Sequence, residues 1–112
     1  MNTHTVVVSD PADADIEQIL NRLVMLSVEA AVAWQVSFEA TLSSLTSLPH
    51  RYPKARDGSR YPSVIARQLY FGKYRLIFHV LEAASDETEG TVIILRVLYG
   101  AQSMEHRPQD QA

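Results

Sequence analysis

The chain has 112 residues, no cysteine, 46% apolar and 21% charged residues, and a formal net charge of −3. This is an ordinary globular mixture in a length that suits one domain spanning 1–112. It excludes a disordered polyelectrolyte, a disulfide scaffold, a thiol nucleophile and any Cys-ligated metal centre. No basic start followed by an apolar leader opens the sequence, and no apolar run approaches the ~20 residues that cross a bilayer. A cytoplasmic protein without a membrane partner is expected.

In chain order, Thr5-Val6-Val7-Val8 is β-branched and predicts a short strand at 4–8. Asp10 then reads as an N-cap with Pro11 at the first helical position and the acids Asp13 and Asp15 close behind. Ile16, Ile19, Leu20 and Leu23 form one apolar stripe of a helix over about 11–26. Ser27 can cap a second helix, whose stripe is Ala31, Trp34, Phe38, Leu42, Leu45 and Leu48, ended by Pro49. With almost no linker between them, the two helices form a helical hairpin.

Residues 49–63 hold three prolines, one glycine and no apolar period, and so predict a loop carrying four bases and two tyrosines. Such a loop can contact phosphates and stack on bases, and its tyrosines can equally anchor it to the core. After it the period changes to two. Val64–Phe71, Tyr74–Leu81 and Thr91–Tyr99 are strand candidates, with Gly72-Lys73 as a tight turn and Glu82–Gly90 as an acidic one. Links this short demand antiparallel neighbours. The expectation is an α+β fold of order β-α-α-β-β-β, an antiparallel sheet with the helical hairpin packed on one face, and a frayed tail over 103–112.

Charge is strongly segregated. Residues 1–50 carry six acids and one base, whereas residues 51–81 carry Arg51, Lys54, Arg56, Arg60, Arg67, Lys73 and Arg75 against Asp57 alone. A basic surface for a nucleic acid or an acidic partner is one reading, and a solvated basic loop is the other. Alternation places Tyr74, Leu76, Phe78 and Val80 against the helices, with Ile93, Leu95, Val97 and Tyr99 beside them. Arg75, Ile77, His79 and Leu81 would then share the opposite face with Val92, Ile94, Arg96 and Leu98. Two arginines with a histidine near them on an open face suit phosphate binding and proton movement, or simple cover for apolar neighbours. Arg67 falls in the core set of its strand and would need a helix carboxylate, Asp15 or Glu39. The four glycines all mark turns or strand ends, and His4, His50, His79 and His106 show no ligand spacing. No metal, cofactor or small-molecule substrate is therefore expected.

The strings Ile65-Ala66-Arg67-Gln68-Leu69-Tyr70-Phe71-Gly72-Lys73-Tyr74-Arg75-Leu76-Ile77-Phe78-His79-Val80 and Val92-Ile93-Ile94-Leu95-Arg96-Val97-Leu98-Tyr99-Gly100 resemble the RelE/ParE superfamily of type II toxins. The helical hairpin, opened by Ala30-Ala31 in its second helix and closed by Leu48-Pro49, extends the resemblance over about residues 4–102. It implies a growth inhibitor neutralised by a cognate antitoxin. RelE-like members cleave mRNA on the ribosome with a set of basic residues; ParE-like members inhibit DNA gyrase without bond-making chemistry. In a RelE-like protein, Arg75, Arg96, Tyr99 and His79 would be the catalytic group. Ala66 and Gln68, however, stand where such nucleases carry lysines, and Arg107 is the only base after Tyr99. A phenol with pKa near ~10 is also a poor base at neutral pH. The resemblance thus leans toward gyrase as target, with the ribosome and mRNA as the alternative and a non-toxic binding module of the same fold as a third reading. The antitoxin is expected across the open sheet face or beside the helical hairpin. Its acids would meet Arg75 and the 51–60 bases, and its apolar side would cover Ile77 and Leu98.

Overall fold

A computed structural model describes residues 3–83 and 89–102. The tail 103–112, with His106 and Arg107, and the turn residues 84–88 lie outside the described residues. The elements follow as β1 His4–Val8, α1 Asp10–Leu26, α2 Val28–Ser44, β2 Ala66–Phe71, β3 Tyr74–Leu81 and β4 Gly90–Tyr99, with 3₁₀ turns at Pro49–Arg51 and Gly58–Arg60.

The helix boundaries have local causes. Ser9, one residue earlier than expected, caps α1: its Oγ accepts from the Ala12 N–H at 3.3 Å and donates to the Leu95 carbonyl at 3.2 Å. Ser27 caps α2 by accepting from the Ala30 N–H at 2.9 Å, while its own N–H closes α1 on the Leu23 carbonyl. One serine therefore ends one helix and starts the next, which fixes the hairpin. Leu48 takes a left-handed conformation (φ 50°) ahead of Pro49, a costly place for a branched side chain. Arg51 braces this corner by donating to the carbonyls of Ser44, Ser47 and Leu48.

The sheet order is β1-β4-β3-β2, with β2-β3-β4 antiparallel and β1 parallel to β4. The sheet is thus mixed rather than wholly antiparallel. Short links dictate direction only between consecutive strands, and β1 reaches β4 after every other element has intervened. The helix-side core joins Ile19, Trp34, Phe38 and Leu45 to Leu69, Phe71, Leu76, Phe78, Val80, Val92, Ile94 and Val97. Trp34 stacks on Phe38 with ring centroids 5.0 Å apart and meets Tyr74 edge-on at 5.6 Å.

Two expectations about faces are corrected. The β3 partner switches from Arg96 at Ile77 to Ile94 at Phe78, leaving Leu95 without a counterpart in a β-bulge. That extra residue reverses the parity, so Val92 and Ile94 face the helices rather than the opposite side, while Val97 keeps its expected place. The second face, moreover, is not open. Ala55, Ala66, Ile77 and Leu98 form a second buried cluster with Tyr61 and Leu95 against it, because the 53–64 loop folds across the sheet. The loop also guards the outer edge of β2, through Ala55 N–H to the Ala66 carbonyl at 2.8 Å and Gln68 N–H to the Pro53 carbonyl at 2.9 Å.

Candidate functional site

Arg75 is fully buried beneath the loop. Its guanidinium forks onto Asp57 at 2.8 and 2.9 Å and also donates to Gln68 Oε1 at 2.9 Å and the Gln102 carbonyl at 2.8 Å. Tyr61 seals the same layer. Burial pushes its phenol pKa up, with the Arg96 charge opposing and the Asp15 and Asp57 charges adding to the rise. Arg75 therefore latches the loop to the sheet, and its charge is met inside the protein.

Arg96 is likewise inside. It stands opposite Ile77 in the ladder, as alternation expected, but its guanidinium donates to both carboxylate oxygens of Asp15 at 2.7 and 2.9 Å. β1 pairs with β4 only as far as Ile94, and beyond that point the Val97 N–H also donates to Asp15, at 2.9 Å. The helix carboxylate foreseen for Arg67 serves Arg96 instead. Arg67 is half-buried and donates to the Tyr52 carbonyl at 2.8 Å. The shared face of Arg75 and Arg96 thus exists in the register, but as two interior ion pairs rather than an exposed phosphate site.

The remaining candidates have separate local contacts among the described residues. Tyr99 is two-fifths exposed with its ring 5.2 Å from Tyr74, and His79 Nδ1 lies 3.0 Å from the Ile65 carbonyl. Arg51 caps α2 and lies over the Tyr52 ring at 4.6 Å. Arg56 donates to the Tyr70 hydroxyl and to the carbonyls of Gly100 and Gln102. Lys54, Arg60 and Lys73 are exposed. Much of the basic segment is spent on pinning the loop and the strand ends. Of the two readings of the tyrosines, Tyr52 follows the anchoring one, its ring edge-on to Phe78 at 6.0 Å.

Two features were not foreseen. Val28, Val32 and Val36 form an exposed ridge on α2, continued at the helical corner by Val24, Met25 and Leu26, which are half to more than four-fifths exposed. A shallow cleft of about 290 Å³ runs along it between Leu20, Val24, Val28 and Val32. The four-residue spacing of those valines was visible, but it runs beside the core stripe on the exposed side of α2. The second feature is His4, His50 and Glu82, whose ligand atoms lie within 4.8 Å of one another; linear spacing along the chain could not reveal it.

A sequence model described as the ParE toxin of the parDE type II toxin–antitoxin system matches residues 6–104. No curated protein matches the chain.

Proposed function

The chain belongs to the ParE toxin family of type II toxin–antitoxin systems, and from that premise we propose that it arrests growth by binding DNA gyrase in the cytoplasm, without cutting RNA. The observation that supports a non-catalytic action is the burial of Arg75. The arginine at the position that would hold phosphate in a RelE-like nuclease is closed off by Asp57 and by the amide of Gln68. A lysine at 68 would set a second cation against it, whereas glutamine accepts its hydrogen bond. Arg96 is likewise committed to Asp15.

Family membership implies a cognate antitoxin as partner. The Val28–Val32–Val36 ridge is the surface we assign to it, since Ile77 and Leu98 are already covered by the loop. An apolar segment of the antitoxin laid along α2 would remove that strip from water.

The test joins growth on expression in cells to two assays on the purified chain, one of ATP-dependent supercoiling by gyrase and one of mRNA integrity in translating ribosomes. Inhibited supercoiling with intact mRNA is expected. Cleaved mRNA would assign the RelE-like activity, and absence of growth arrest on expression would leave a binding module of the same fold.

A further inference from the structure

We propose that His4, His50 and Glu82 form a binding site for a zinc-class divalent cation, which staples three separate segments at one end of the sheet. His4 begins β1, His50 sits in the 3₁₀ turn after α2, and Glu82 directly follows β3. His4 and Leu81 pair with Gly90 and Thr91 at the start of β4, whereas Arg75 pairs with Leu98 toward the other end. The site is therefore separate from the Arg75 latch.

His4 is a prepared ligand. Its side chain is only 7% exposed, and its backbone N–H is tied to the Thr46 carbonyl at 2.8 Å. The ring occupies space that only glycine leaves at position 90: a Cβ there would lie 2.6 Å from His4 Cδ2 and 2.8 Å from Nε2. Nδ1 has no partner among the described residues, so the polar contact of this buried ring runs through Nε2, which points at Glu82 Oε1, 3.3 Å away. His50 Nε2 approaches the same oxygen to 2.6 Å.

Two imidazoles and a carboxylate are a zinc donor set with a fourth position left for water, and they are a poor set for the hard cations magnesium and calcium. Zinc–nitrogen bonds of about 2.0–2.1 Å in a tetrahedron require donors about 3.3 Å apart. The His4–Glu82 pair already has that separation. His50 and Glu82 must part by less than about 1 Å, and the His4 and His50 nitrogens, within 4.8 Å of each other, must come to the same spacing; His50 and Glu82 can move because their side chains are 48% and 59% exposed.

The experiment uses the full chain without an affinity tag, titrated calorimetrically with zinc or magnesium and melted with and without a chelator. One zinc per chain, a raised melting temperature that the chelator reverses, and no response to magnesium are expected. His50→Ala and Glu82→Gln, both at exposed positions, should melt like the parent without metal and lose the saturable zinc response. Absence of saturable zinc binding by the parent would reduce the cluster to a hydrogen-bonded clasp and overturn the proposal. Unchanged affinity and stoichiometry in both variants would place the metal elsewhere and overturn it equally.

Discussion

Asp15 and Arg96, 81 positions apart, form a buried pair that joins the second turn of α1 to the unpaired edge of β4. The same carboxylate accepts the Val97 N–H, so one side chain neutralises a buried cation and closes a strand edge. Removing one partner of such a pair costs far more than the pair contributes net, because the other charge remains inside. Asp15→Ala is expected to destabilise the fold by about 3–5 kcal/mol in urea unfolding. The double replacement Asp15→Leu with Arg96→Met should recover most of that loss.

Arg75 and Asp57 latch the loop over the second core. Arg75→Ala leaves a cavity and takes from the Asp57 carboxylate its two-pronged hydrogen bond, a loss of about 3 kcal/mol or more. Trypsin should then cut faster at Lys54, Arg56 and Arg60. If Arg75 has no catalytic task, an Arg75→Met, Asp57→Leu variant that folds should inhibit supercoiling as the parent does.

Val28 and Val32 are 64% and 55% exposed, so charging them should leave the fold unharmed. Val28→Glu and Val32→Glu are each expected to weaken antitoxin binding by about 1–3 kcal/mol, with an unchanged melting temperature. Calorimetric titration with the antitoxin against the parent checks this.

Burial raises the Tyr61 phenol pKa above its ordinary 10.0. The folded protein therefore holds that proton where the unfolded chain releases it, so stability is fully present below pH ~10 and is lost as pH rises toward the folded value. Stability curves of the parent and Tyr61→Phe should diverge only above pH ~10, the variant losing less. Parallel curves would remove Tyr61 from the seal of the second core.

Gly90→Ala would drive a methyl group into the His4 ring, with the Leu81 carbonyl 3.0 Å away on the backbone side. Overpacking of this kind costs about 1–3 kcal/mol. The displaced imidazole should also abolish the zinc-dependent rise in melting temperature.

The amino-acid order alone determined what depends on near neighbours. Periods of 3.6 and two located both helices and the last three strands, β-branched composition located the first, Ser27 marked the junction of the hairpin, and the Gly72-Lys73 turn set the β2–β3 register. The Tyr74–Leu81 strand and its core-facing set follow directly from alternation. What lies on the far side of a contact was not encoded locally. Leu95 looks like any strand residue, yet as a bulge it reversed Val92 and Ile94, because parity depends on the partner strand as well as on its own. The basic loop was legible as a loop but not as a lid, since Asp57 finds Arg75 only once the chain crosses the sheet. In the same way, only tertiary folding decided that Asp15 serves Arg96 rather than Arg67, and that His4, His50 and Glu82 share one corner. Sequence spacing specifies which residues share a helix face or a strand face; which carboxylate meets which cation is set by packing between segments dozens of residues apart.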